Sequence, residues 1–297
     1  MKQANTQTIL FTTLAMIAFA SNSLLNRLAL GQGSIDPVSY TLIRLVAGAV
    51  MLALIAAIQR NNGKAGMRGS WLSAALLFLY AISFSFAYLT LGAGTGALIL
   101  FGSVQVTMIL AALSSGERPR VLEWLGVFLA LGGLIYLVLP GLTAPSPLGS
   151  ALMTAAGIAW GFYSLRGRGS NTPLADTTGN FVYAAPFIIL VRLISFKGIH
   201  LSMNGALLAA FSGAVASGIG YVIWYAALRG LTTTRAAIVQ LSVPALAAWG
   251  GVIFLAESLS VRLILAGALI LGGIALAATG RAAPERASQR KQASPEE

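Results

Sequence analysis

The chain has 297 residues, 57% of them hydrophobic and only 9% charged, with a formal net charge of +11, one histidine and no cysteine. Soluble domains carry about 25% charged residues, so a water-soluble enzyme is excluded, as are disulfide frameworks, thiolate nucleophiles and multi-histidine or cysteine metal centres. The positive charge does not indicate nucleic acid, because the basic residues are scattered between apolar runs and not gathered on one face.

Ten apolar runs are long enough to cross a bilayer, at residues 7–29, 37–58, 70–91, 94–114, 121–139, 148–165, 177–196, 203–227, 232–255 and 260–280. They are continuously apolar, with no alternation of period two, which predicts an all-α integral membrane protein and not a barrel. Turn chemistry separates the runs at Gln59-Arg60-Asn61-Asn62-Gly63, from Pro140-Gly141 to Pro147, and from Gly167 to Asn171. The first run, with Lys2 ahead of it and the small residues Ala18 and Ala20 inside it, loosely fits a secretory signal. Its counterpart later in the chain predicts a retained span. Beyond Gly280 the segment 281–297 is polar and charged, and a disordered cytoplasmic tail is expected there.

Lysines and arginines set the expected orientation. With the N-terminus inside, fourteen of the nineteen basic residues fall on the cytoplasmic side. Arg27, Arg192, Lys197 and Arg262 remain outside, and Arg44 lies within the second span. Both termini are expected in the cytoplasm.

The two halves carry one pattern. Residues 16–27 (MIAFASNSLLNR) align with 157–168 (GIAWGFYSLRGR), and 95–104 (TGALILFGSV) with 234–243 (TRAAIVQLSV). Glu117 matches Glu257, and Gly132-Gly133 matches Gly272-Gly273, all near one offset of 140 residues. A unit of five spans is odd, so the second copy must cross the membrane upside down. Inverted-topology repeats of this kind occur in secondary transporters, with substrate held near mid-membrane between the halves. The expected division is 1–141 and 142–280, followed by the tail.

The stretch Tyr225-Ala-Ala-Leu-Arg-Gly-Leu231, then Leu241-Ser-Val-Pro244, Ala256-Glu257 and Gly267 to Gly273, resembles the second half of EamA-type proteins of the drug/metabolite transporter superfamily. Tyr40-Thr-Leu-Ile-Arg44 and Gly116-Glu117-Arg118-Pro119 resemble the first-half motifs. The resemblance covers residues 10 to 280. It implies ten helices in two inverted five-helix repeats and the export of metabolites, amino acids or drugs. It also makes an arginine at position 44 typical. Among members, the chain is most similar to aromatic amino-acid exporters. Phe19 departs from the pattern, where many relatives have Trp; the second copy keeps Trp160.

Helical spacing then selects residues for a substrate cavity. Phe19, Asn22 and Asn26 share a face in the first span, and Trp160 and Tyr163 follow in its repeat mate. Tyr80, Phe84 and Tyr88 in span three map onto Ser217, Tyr221 and Tyr225 in span eight, with Trp224 beside them. Ser103 and Thr107 in span four correspond to Ser242 and Leu246 in span nine, with Gln240 nearby. Such aromatic walls, with amide and hydroxyl groups, suit a flat and partly apolar solute. The competing role for Tyr and Trp is interfacial anchoring, and Ser or Thr can simply bond their own helix. Arg44 either faces water or a partner within the span, or snorkels to the surface. Glu117 and Glu257 close spans four and nine, where anchoring near Arg118 or Arg262 is expected in preference to substrate contact. The glycine pairs, with Gly126 and Gly267, suit close packing of spans five and ten as a scaffold.

All eight acidic residues lie at span ends or in the tail, and there is no Gly-Lys-Ser/Thr loop for ATP. The expected function is a secondary transporter, without cofactor or metal, that exports amino acids with an aromatic preference by uniport or exchange. It would alternate access between the repeats and be complete as a monomer. Drugs or nucleotide sugars on the same fold are the alternative substrates. An intramembrane enzyme, a scramblase or an assembly subunit stands outside transport; the first lacks a nucleophile and base placed together in the spans.

Overall fold

A computed structural model describes residues 6–59, 67–114, 121–141, 144–167, 170–194, 199–228, 230, 231 and 239–292, with side chains through 276 except at 112, 113 and 123. Ten helical spans follow one another: α1 (Thr6–Gly31), α2 (Pro37–Gln59), α3 (Trp71–Ala87), α4 (Ala93–Ser114), α5 (Val121–Val138), α6 (Pro147–Gly167), α7 (Pro173–Ile194), α8 (Met203–Leu228), α9 (Ser242–Leu255) and α10 (Val261–Gln292). Among the described residues six are long and apolar enough to cross a membrane; α3, α5, α9 and α10 supply shorter apolar stretches. Residues 232–238 of the ninth expected run lie outside the described residues, as do Glu117 and Arg118. The last helix is described through Gln292.

The helices begin where local chemistry dictates. Proline opens α2, α6 and α7, in the first turn, where the amide hydrogen has no partner within the helix. Asp36 Oδ1 accepts from the amides of Val38 at 3.1 Å and Ser39 at 2.9 Å, capping α2. Ser146, Ser202 and Ser260 cap α6, α8 and α10 in the same way.

The burial pattern is that of a membrane protein. Large apolar side chains such as Leu54, Ile58, Ile135, Leu193, Trp249 and Phe254 point outward, and Asn22, Asn26, Thr41, Arg44, Ser85, Ser212 and Ser217 are buried inside. An apolar exterior of this extent is matched to lipid and not to water.

Packing follows the repeat. The contact of α1 with α8 has its mate in α6 with α3; α2 with α8 is mirrored by α7 with α3; and α1 with α9 by α6 with α4. The remaining principal contacts join each helix to its own counterpart: α2 to α7, α4 to α9, and α5 to α10. The last pair forms the expected scaffold. A side chain at Gly133 would meet Ile270 at 2.8 Å, and one at Gly273 would meet the Gly126 carbonyl at 2.6 Å. Gly132 and Gly272 face open space, and Gly267 has only ordinary contact with Leu98, so one glycine of each pair makes the close approach.

The antiparallel order defines two ends. One, here the near end, holds the start of α1, Ser70 and Arg166; the far end holds Arg27, Asp36, Arg192 and Glu257.

Candidate functional site

Tyr40 and Arg44 are one turn apart on α2 and face inward. At this level α2 crosses α8 closely, since a Cβ on Gly213 would collide with the Arg44 carbonyl oxygen, and it also approaches α7, where a Cβ on Gly48 would lie 2.5 Å from the Phe181 ring. The close crossing leaves Arg44 with 2% of its surface exposed. Snorkelling is thereby ruled out. Arg44 Nη2 donates to the Tyr80 hydroxyl at 3.0 Å, and Nε to Ser217 Oγ at 3.4 Å. Its Cζ lies 5.3 Å from the Tyr80 ring centroid and 5.2 Å from that of Phe84, within cation–π range. Among the described residues no carboxylate is within ion-pair distance of it, and Nη1 has no hydrogen-bond partner. A guanidinium stays charged in proteins, and burying it without a counter-ion costs several kcal/mol.

The middle of α8 explains how two serines reach the same amide. Residues Ser212–Ile219 form π-helical turns. In a regular α-helix residues five apart diverge by about 140°, but i→i+5 bonding brings them into line. Ser212 Oγ donates to Asn22 Oδ1 at 2.8 Å, and Asn22 Nδ2 donates to Ser217 Oγ at 3.3 Å. Asn22, Ser212, Ser217 and Arg44 thus form one buried polar cluster built from both repeats.

Aromatic rings enclose it. Tyr88 packs edge-on to Phe84 at 4.8 Å, Phe84 on Tyr80 at 5.3 Å, and Tyr80 on Trp160 at 4.9 Å. Trp160 stacks on Tyr163 at 5.3 Å and on Tyr221 at 5.4 Å. Phe19 meets both Tyr221 and Trp224 at 5.9 Å. The row is continuous from α3 through α6 to α8 and α1. Phe19, Asn22, Arg44, Tyr80, Phe84, Tyr88, Trp160, Tyr163, Ser217, Tyr221 and Trp224 are therefore brought together.

Other expected cavity residues are placed elsewhere. Asn26 donates to the Asn22 carbonyl at 2.8 Å and belongs to a separate buried knot with Thr41 and Ser85. Ser103 and Thr107 pack against Gly157 and Gly161 at the α4–α6 seam, with Thr107 Oγ1 bonded to the Ser103 carbonyl at 2.8 Å. Glycine at these two α6 positions draws the helices together and leaves the hydroxyls no open side. Ser242 is exposed and bonds back to the Val239 carbonyl at 2.7 Å. Gln240 is half-buried beside it, and Tyr225 has its hydroxyl near Gly167; neither joins the ring row. Three members were missed. Tyr40 was legible from its i, i+4 relation to Arg44; Phe181, edge-on to Tyr221 at 6.0 Å, carried only its aromaticity; Ser212 was hidden by the π-helical turns.

Ion pairs link the repeats at the far end. Arg27 Nε lies 3.0 Å from Glu257 Oε1, and Glu257 Oε2 accepts the Ala93 amide at 2.8 Å. Glu257 therefore anchors to Arg27 and not to Arg262, whose Nη1 bonds to the Leu139 carbonyl at 2.5 Å. Left-handed Ala256 ends α9 and turns the next residue back toward α4. Arg192 and Asp36 form the second pair at 3.5 Å. At the near end Arg166 reaches Ser73 at 3.1 Å and Ser70 at 3.3 Å.

An all-helical bundle of two interlocked halves, lipid-facing outside and polar at its centre, defines a multi-pass membrane transporter fold. A profile described as the EamA-like transporter family matches residues 6–139 and again 147–279. The chain belongs to that family. It is 52% identical over 284 residues to a Pseudomonas aeruginosa protein named "Uncharacterized protein PA1977", covering 95% of this chain and 99% of that one. An "Uncharacterized transporter" of Archaeoglobus fulgidus is 27% identical, covering 81% and 86% of the two chains. The "Uncharacterized inner membrane transporter YedA" of Escherichia coli is 26% identical, covering 68% of this chain and 65% of that one. A solved crystal structure shares the fold at a TM-score of 0.63 and 20% identity, covering 89% of this chain and 95% of the other.

Proposed function

We propose that this transporter exports amino acids, with a preference for aromatic ones, across the inner membrane by alternating access between its two repeats, both termini lying in the cytoplasm. The observation that carries the reading is the ring row Tyr80–Trp160–Tyr221–Phe19, contributed by both halves and set against the Asn22 cluster. Rings that now pack on one another can stack on a flat side chain when they part. The far-end ion pairs and the near-end Arg166 contacts each join the two halves, so opening either end requires one set to break while the other holds. Among the described residues no acid sits in the middle of a span, which supports uniport or exchange over a proton relay. A nucleotide sugar would require several cations at the centre, and Arg44 is the one basic residue in this cluster. The fold works as a monomer, and its activity is transport without catalysis.

Proteoliposomes of the purified protein should take up labelled phenylalanine saturably and faster than leucine or lysine. In Asn22→Ala, which removes the amide that holds both α8 serines, uptake should fall about tenfold, the loss of roughly 1.4 kcal/mol expected for a buried hydrogen-bonded amide. Folded protein that moves no amino acid overturns the reading.

A further inference from the structure

We propose that Arg44 and Tyr40 form a carboxylate subsite at the centre of the bundle, so that the group this transporter reads first is its substrate's carboxylate and the amine is dispensable. The inference rests on the transport reading and goes further, by assigning recognition to particular atoms. Arg44 Nη1 has no hydrogen-bond partner although the residue is 2% exposed. The Tyr40 hydroxyl, on a residue that is 0% exposed, lies beside Ser212 without reaching hydrogen-bond geometry. Two unsatisfied buried groups one turn apart are a costly arrangement for a purely structural centre. The other polar atoms around them are already committed: Tyr80 and Ser217 accept from Arg44, while Ser212 and Ser217 are bonded to Asn22.

The charge selects the ligand class. The titratable groups facing Arg44 are the phenols of Tyr40, Tyr80 and Tyr221, and among the described residues no carboxylate pairs with it, so its positive charge has no counter-ion. A carboxylate makes the centre neutral and can bridge the Nη1–Nη2 edge in bidentate fashion. A phosphate dianion would leave a net negative charge in the span. Among the described residues no carboxylate faces the cluster to take an ammonium group. Asp36 and Glu257 are paired with arginines at the far end, and Asp176 is bonded to Ser170 and Thr172 at the start of α7.

The test uses the full-length protein in lipid nanodiscs with three probes of one ring: 3-phenylpropanoate, L-phenylalanine and phenethylamine. Binding is read by thermal stabilisation and by tryptophan fluorescence, since Trp160 and Trp224 border the cluster. Both carboxylates should bind, and phenethylamine should bind at least tenfold more weakly. Arg44→Gln should lose carboxylate binding at least tenfold, and Arg44→Lys should recover it in part, because lysine keeps the charge but not the planar fork. Tyr40→Phe, which preserves the ring, should weaken binding severalfold and keeps the proposal testable should Arg44→Gln fail to fold. Equal binding of amine and acids, or undiminished acid binding in Tyr40→Phe and a folded Arg44 variant, overturns the subsite. Carboxylate binding without uptake would uphold the subsite and reject transport of these compounds. Uptake of phenylalanine and phenethylamine at equal rates would do the reverse.

Discussion

Gly213→Ala is expected to lower the unfolding midpoint of the purified protein by roughly 2–5 °C, on an overpacking cost of about 1–3 kcal/mol. The reason is the identity of the obstacle. A Cβ at this position meets the backbone carbonyl of Arg44, not a side-chain tip that could swing aside. The π-helical segment of α8 and the whole of α2 would have to separate, carrying Arg44 away from Ser217 and Tyr80. Substrate uptake should fall together with stability. Gly132→Ala supplies the control, because nothing lies within 4 Å of its Cβ position on α5. There alanine should leave the midpoint unchanged or raise it slightly, through its better helix propensity. Equal melting of wild type and Gly213→Ala would mean that the α2–α8 crossing is not as close as described.

Glu257→Ala is expected to shift the protein toward a state open at the far end by about tenfold. One carboxylate there performs two tasks, pairing with Arg27 at 3.0 Å and accepting the first amide of α4 at 2.8 Å. A partly exposed ion pair and one backbone hydrogen bond together contribute about 1.5 kcal/mol, and 1.4 kcal/mol is a tenfold change in a two-state population. The absence of native cysteine makes the measurement direct. Ser23→Cys, buried one turn before Arg27, can serve as the reporter for a membrane-impermeant thiol reagent. Labelling from the far side should be about tenfold faster when Glu257→Ala is added, and net uptake should fall as the cycle stalls in one state. Unchanged labelling would remove this ion pair from the far-end closure and place it among the structural contacts. Arg27 is freed but not left buried without solvent, so a large loss of stability is not expected.

The class of this protein was legible in its composition, because a bilayer imposes length and apolarity on every segment that crosses it. The order of ten spans, the repetition of five and the scaffold role of spans five and ten could be read in the same way. Asn22, Tyr80, Trp160 and Tyr221 could also be selected, since polar and aromatic groups spaced along one helical face stand out against leucine and alanine. Arg44 was visible as an anomaly, but its surroundings were not: whether a guanidinium snorkels or is clamped depends on neighbours from α3 and α8, far away in the chain. Ser103 and Thr107 show the opposite failure. They had the right chemistry and spacing, but glycines on α6 turned their face of α4 into a packing seam. Ser212 was hidden because the helical period itself changes across Ser212–Ile219, so no fixed-period reading could bring it into line with Ser217. Glu257 was assigned the wrong arginine, since Arg262 is five residues away in sequence whereas Arg27 arrives from the other repeat. The sequence by itself determined which segments cross the membrane and which faces are polar, properties set within single helices by solvent and periodicity. Only the tertiary structure decided which polar groups meet, because each meeting is made by helices of different repeats, whose crossings depend on where a glycine lets two backbones touch.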